Sequence, residues 1–177
     1  MMHKQWAWGS IFIWLALTVT GCAAVEVYSS SPVVQKMSND YFNVELEPQH
    51  QEGQNFFTSF RFVLTNKTKK DLHVDWENTF YLLNGRRSGR FLWEGVDWEA
   101  LKKIRNQPLV PVAAGDTVTA VVFPKSLAGR SKIGTTTGLR YTRGPLPAGE
   151  NGMFLVVKQN GREIREKIVV KIEAQKG

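Results

Sequence analysis

The residue with the most specific chemistry in this 177-residue chain is Cys22, its only cysteine. A thiolate is the softest nucleophile that a side chain offers, and thioether formation is a reaction it suits. Val19, Thr20 and Gly21 precede it and Ala23 and Ala24 follow. Small residues there let the chain lie extended in a peptidase groove. Upstream, a short polar start with His3 and Lys4 leads into an apolar run from Ile11 to Val19. A basic start, an apolar stretch of ~7–15 residues and a small-residue end are the layout of a secretory signal. An uncleaved span from about Trp6 to Val25 would be long enough for a bilayer. Against it, Gly9, Ser10, Thr18, Thr20 and Gly21 dilute its ends, and no basic stop-transfer cluster follows. Its position accounts for the cysteine, so it is not a leftover catalytic thiol. The rest of the chain has no disulfide to form and must hold together through its core.

Other groupings carry weaker chemistry. Glu94, Asp97 and Glu99 stand beside Trp93 and Trp98. Paired carboxylates with aromatic platforms suit glycan binding or glycoside hydrolysis. The simpler account is a capped surface turn with core tryptophans, leaving Trp98 as a candidate aromatic anchor for a partner. Metal binding needs several convergent His, Cys or carboxylate ligands. Only His50 and His73 remain after the signal, far apart in sequence, so no metal is expected. Gly85-Arg86-Arg87-Ser88-Gly89 has the wrong spacing and flanks for a nucleophile elbow and reads as a hairpin tip. The Gly129–Gly144 stretch carries Arg130, Lys132, Arg140 and Arg143. Backbone N–H groups and cations in such a loop could cradle an anion, although no phosphate-loop spacing is present. Together with Arg86, Arg87 and Arg90, these four are the candidate contacts for an anionic partner. No catalytic set emerges, and the expectation is a non-enzymatic protein without a cofactor.

Charge points the same way. The whole chain carries a formal net charge of +7. Removing residues 1–21 takes away one basic residue, Lys4, and no acid. Between Arg86 and Arg143 basic residues, Lys102, Lys103 and Arg105 included, outnumber Glu94, Asp97, Glu99 and Asp116. Outside the cytoplasm such a surface meets anionic lipid headgroups or envelope polymers rather than nucleic acid. Scattered loop charges kept for solubility are the plainer alternative.

The elements that must position these residues are short and alternating. Val25 to Asp40, centred on Ser29-Ser30-Ser31-Pro32, reads as a flexible tether over residues 22–40. Phe42, Val44 and Leu46 then alternate with polar residues, as do Phe60, Phe62 and Leu64, and Leu72, Val74 and Trp76. Strands are also expected at Phe80–Leu83, Arg90–Trp93, Thr117–Phe123, Leu139–Tyr141, Met153–Lys158 and Glu163–Ile172. Asn84-Gly85 marks a turn, and Asn160-Gly161 is the strongest hairpin signal, suited to a type I′ turn. Asp97 to Ile104 reads as a short helix capped by Asp97. Residues 125–152 read as long glycine-rich loops around one short strand. The pattern predicts one domain over 41–177, an all-β, immunoglobulin-like antiparallel sandwich of about seven or eight strands with one short helix. A small barrel is the alternative.

Val19-Thr20-Gly21-Cys22 resembles the lipobox of bacterial lipoproteins. The resemblance implies cleavage before Cys22, a diacylglycerol thioether on its sulfur, and a cell-envelope location. Aspartate after the lipidated cysteine commonly retains members of that family at the inner membrane. Ala23 therefore implies the outer membrane, facing the periplasm. Phe60-Arg61-Phe62-Val63-Leu64-Thr65-Asn66-Lys67-Thr68, followed by Leu72-His73-Val74-Asp75-Trp76, is similar to small bacterial lipoproteins and secreted domains with an immunoglobulin-like sandwich. That likeness implies a fold and a location, and fold analogy does not deliver a function; it is the basic residues that suggest an envelope protein or anionic envelope polymer as partner.

Overall fold

The structure is a computed structural model that describes residues 26–95, 109–132 and 139–176. Cys22, the signal segment, and the expected helix with Asp97, Trp98 and Glu99 lie outside the described residues. The protein is all-β, with thirteen strands among the described residues rather than seven or eight. In chain order they are β1 (Glu26–Ser31), β2 (Gln35–Ser38), β3 (Phe42–His50), β4 (Phe57–Asn66), β5 (Leu72–Asp75), β6 (Phe80–Leu83) and β7 (Arg86–Trp93). Then come β8 (Leu109–Val112), β9 (Thr117–Pro124), β10 (Ala128–Lys132), β11 (Leu139–Arg143), β12 (Gly149–Gln159) and β13 (Arg162–Lys176). The one helical element described is a 3-10 turn, Lys125–Leu127.

Eleven strands form one antiparallel sheet, ordered β1-β13-β12-β6-β7-β9-β4-β3-β2, with β5 between β12 and β8. The sheet curls into a half-barrel whose two ends, β1 and β2, are consecutive in the chain. Side chains tie the ends across the opening. Asn39 Nδ2 donates to Glu166 Oε1 at 2.9 Å, and Arg162 Nη1 donates to the Tyr41 hydroxyl at 2.8 Å. The residues expected as a tether are therefore largely built into the sheet: β1 pairs β13 and β2 pairs β3. Their Ser- and Pro-rich composition hid this, because strands at the ends of a sheet bury little on either face.

Period two decides the inner face. Phe42, Val44, Leu46, Phe60, Phe62 and Leu64 point inward from β3 and β4, as do Leu155, Ile168 and Val170 from β12 and β13. Trp76, 2% exposed, sits among Phe62, Phe91 and Trp93, with ring centroids 5.3, 6.4 and 5.4 Å away and edge-to-face. One buried tryptophan removes roughly 150–250 Å² from water, which a core without disulfides requires. Where β5 hands over to β6 along β12, the buried Thr79 hydroxyl donates to Asp75 O at 2.7 Å and accepts from Val156 N at 3.1 Å. It thus satisfies two backbone groups that the ladder leaves over.

Polar residues inside the sheet have defined partners. The Tyr81 hydroxyl donates to Asn151 Oδ1, and Asn151 Nδ2 donates to Pro147 O and Gly149 O at 2.8 and 3.1 Å. Burial pushes the Tyr81 hydroxyl well above its ordinary pKa, keeping it a donor. Asp75, also buried, accepts from Lys158 Nζ at 2.7 Å and from Asn78 Nδ2 at 2.9 Å. Both two-residue hairpins follow the expected turn chemistry. Asn84 and Gly85 have φ of 49° and 75°, and Asn160 and Gly161 have 49° and 78°, values that type I′ turns demand. The glycine-rich stretch is more ordered than expected, since β10 and β11 pair into a two-stranded sheet and β12 begins four residues early, at Gly149.

Candidate functional site

The β6–β7 turn sets Arg86 and Arg87 at the head of β7. It is held to β12 by a reciprocal pair of bonds: Asn84 N donates to Glu150 O at 2.8 Å, and Glu150 N donates to Asn84 Oδ1 at 2.9 Å. Both arginines are exposed. The Arg87 guanidinium carbon lies 3.6 Å from the Phe80 ring centroid and 5.6 Å from that of Phe154. A cation over an aromatic face gains about 0.5–2 kcal/mol without losing its charge. Among the described residues neither Arg86 nor Arg87 has a carboxylate partner.

The other candidate cations differ from these two. Arg90 is claimed by Glu77, whose Oε2 accepts from Nη1 at 2.9 Å. Arg143 Nη2 donates to Glu94 Oε1 at 2.7 Å, and its guanidinium lies 4.6 Å from the Phe123 ring centroid. Arg130, Lys132 and Arg140 lie on the β10–β11 pair, their backbones opposite Tyr141, Leu139 and Ser131. That pair is rooted beside Arg87: Ser126 Oγ donates to Ser88 O at 2.7 Å, and Gly144 N donates to Leu127 O at 2.8 Å.

Register brings these segments to one end of the sheet. Leu83 stands opposite Asn151, Gly149 opposite Ile172, and Lys176 opposite Glu26. The β6–β7 tip and the start of β12 therefore lie toward that end, and the end of β13 with the start of β1 extends four residues beyond them. Phe91 opposite Pro124 and Phe60 opposite Val122 add the exit of β9 and the β3–β4 loop. Direct contacts agree, with Tyr28 N donating to Asn55 O at 3.3 Å and Tyr28 set edge-on to Phe56. Arginines and lysine dispersed from position 86 to 143 thus start from one region.

A cationic feature that sequence reasoning missed lies on β13. Lys167 is paired directly with Phe154, and Arg165 with Val156, so both project on the face where Arg87 covers Phe80 and Phe154. Arg165 is bound to Glu163 at 2.6 Å, and Lys167 is exposed. The readable signal was the phase, since Arg165 and Lys167 alternate with Ile164, Glu166 and Ile168 in the strand.

The same end holds a polar cleft of about 490 Å³ lined by Gln49, His50, Gln51, Glu52, Ser59, Glu94, Val121 and Arg143. A second hollow, also about 490 Å³, shares Gln49 and His50 and adds Val33, Pro48 and Phe57. His50 packs against Phe57 with ring centroids 4.1 Å apart. The strand register shifts there, between Gln49 and His50. Glu94 is thus concavely placed but exposed and tied to Arg143, with nothing burying it as an acid catalyst would be. Asp97 and Trp98, its expected associates, lie outside the described residues.

His73 is half-buried in β5 opposite Pro111, far from His50. Among the described residues no group of three or more His, Cys, Asp or Glu could hold a metal ion. No helix among them is long and apolar enough to cross a membrane. No protein-family model, curated protein or solved structure matches this chain.

Proposed function

We propose that the chain is a non-enzymatic, lipid-anchored cell-envelope protein, held through Cys22 at the outer membrane facing the periplasm, that binds an anionic envelope component with its basic end. The observation that carries the binding half is the pairing state of the arginines. Arg90 and Arg143 are neutralised by Glu77 and Glu94, while Arg86 and Arg87 stand exposed on a pinned hairpin tip beside an aromatic pair. Positioning two cations on a rigid element lowers the entropic cost of engaging an anion. In this reading the curled sheet is a variant of the immunoglobulin-like sandwich, with β1 and β2 crossing from one edge to the other.

The test combines localisation and binding. Cys22→Ala should leave the domain folded and release it from the membrane fraction, and a variant that stays membrane-bound overturns the anchor. Reversal of Arg86 and Arg87 to Glu should abolish co-purification of the partner, and unchanged retention overturns the basic contact. A second reading, glycan binding, is favoured by the cleft that holds Glu94, Arg143 and His50. It requires chemical-shift changes at those residues on titration with neutral cell-wall oligosaccharides, and their absence removes it.

A further inference from the structure

We infer that the basic end of the sheet lies flat against the bilayer, with Arg86, Arg87 and the β10–β11 arm against the phosphates of anionic phospholipids in the leaflet that holds the anchor. This rests on lipidation of Cys22 and names the anionic component of the proposed function.

A tether over residues 22–40 would let the domain drift ~60 Å from its anchor, at up to ~3.6 Å per extended residue. The sheet instead begins at Glu26, opposite Lys176 on β13. Four residue steps from Cys22 to Glu26 reach at most ~14 Å. The start of β1 therefore stays within about two headgroup-layer thicknesses of the anchor, since the polar regions of the two leaflets together add ~10–15 Å to the hydrocarbon core.

The strand that receives the anchor enters the sheet at the end that carries Arg86 and Arg87, the root of β10–β11 and the β3–β4 loop. Had β6 and β7 run in the reverse sense, their tip would stand a strand length further from the membrane.

Val27 at this end is 55% exposed, and Phe56 is half-buried beside Tyr28, so apolar groups accompany the cations. Cations beside a membrane gain from the negative surface potential of anionic lipids within about a Debye length, ~10 Å at 0.1 M salt. Of the carboxylates at this end, Glu94 is bound to Arg143 and Glu173 to Lys171, and Glu26 receives the Tyr28 hydroxyl. Glu26, Glu52 and Glu150 are exposed and oppose the attraction. The Arg87 guanidinium is held over Phe80, an arrangement that fixes its position and keeps its charge.

The experiment is amide hydrogen exchange on the full chain, purified from membranes and reconstituted into phosphatidylcholine vesicles or into vesicles of mixed phosphatidylcholine and phosphatidylglycerol. Residues 51–56, 84–89 and 128–132 should exchange several-fold more slowly in the anionic vesicles. Residues 66–71 and 159–161, at the opposite end, should be unchanged. The double variant Arg86→Glu/Arg87→Glu should lose the difference, while Lys69→Glu/Lys70→Glu should keep it. Equal exchange in the two lipids, or protection confined to the opposite end, overturns the orientation. Mass analysis of the peptide that contains Cys22 separates the two ideas. A lipidated chain without protection sinks the orientation and leaves the anchor standing. An unlipidated chain that still shows anionic protection sinks the anchor and keeps the charged contact.

Discussion

Replacing Gly152 by alanine places a methyl group where the sheet has no room for one. Gly152 lies in β12 directly opposite Val169 of β13, within the longest ladder in the molecule. An added Cβ would overlap Ile168 O and stand 3.0 Å from Val169 Cα and 3.1 Å from Ile168 C. All three atoms are backbone, so no rotamer change relieves the clash and the two strands must part locally. Ordinary carbon contacts lie near ~3.5–4.0 Å, so the separation needed is roughly 1 Å. Overpacking of this kind costs ~1–3 kcal/mol, and a backbone-on-backbone clash belongs at the upper end. Restricting the unfolded chain returns about 0.4–1 kcal/mol, leaving a net loss near ~2 kcal/mol. In a chain of this size that lowers the melting temperature by roughly 4–8 °C, at ~2–4 °C per kcal/mol. The informative comparison is Gly161→Ala in the β12–β13 turn. A Cβ there meets nothing within 4 Å, but the φ of 78° strains any side chain. Its cost is the left-handed penalty of about 1–2 kcal/mol. Thermal unfolding followed by circular dichroism measures both. A Gly152→Ala protein that melts within about 1 °C of the parent would refute the packing argument, because that corresponds to under ~0.5 kcal/mol.

Two further predictions concern buried polar groups. Burial raises the Asp75 pKa, but hydrogen bonds from the Lys158 and Asn78 side chains and from Asn78 N–H outweigh it and hold the carboxyl below its ordinary value. Its stabilisation is therefore fully present above the ordinary carboxylate range and is lost as pH falls through the depressed pKa. Urea midpoints measured from neutral to acid pH should drop less steeply for Asp75→Asn than for the parent, and parallel curves would count against this role. Asn66 Nδ2 donates to Lys70 O, Val112 O and Ala113 O at 2.8, 3.0 and 3.0 Å, while its Oδ1 accepts from Thr68 N at 2.9 Å. Asn66→Ala should cost about 1–3 kcal/mol in denaturant unfolding, because it strands these groups. Asn66→Asp should fall at least as far, since it sets a carboxylate oxygen against the same carbonyls, and a stable Asp variant would contradict the assigned network.

Much of the sheet was legible because its strands are half-buried, and half-burial writes period two into the chain. Phe42-Val44-Leu46, Phe60-Phe62-Leu64 and Leu72-Val74 alternate in the sequence and point inward in the structure. Asn84-Gly85 and Asn160-Gly161 were legible because few residues adopt positive φ cheaply. Strands that bury little leave no such trace. β1 and β2 at the ends of the sheet read as linker, and β8, four residues with Pro111 among them, shows no alternation to read. Pro111 is accommodated because, among the described residues, β8 pairs with β5 alone. Gly152 read as part of a loop, since the close approach that requires glycine comes from a strand distant in sequence.

The basic residues divide the same way. Composition and local pattern alone determine that the chain is all-β, that Asn-Gly turns its hairpins, and that Arg86 and Arg87 follow one of those turns. They also supply Cys22 in its small-residue setting. Which arginines keep their charge free was decided only by tertiary structure, because Glu77 and Glu94 reach Arg90 and Arg143 through contacts 13 and 49 residues apart. That the sheet begins as early as Glu26 was decided there too. A serine-rich segment is a tether or an edge strand depending on whether another strand offers it hydrogen bonds, and for β1 that partner is the last strand of the chain.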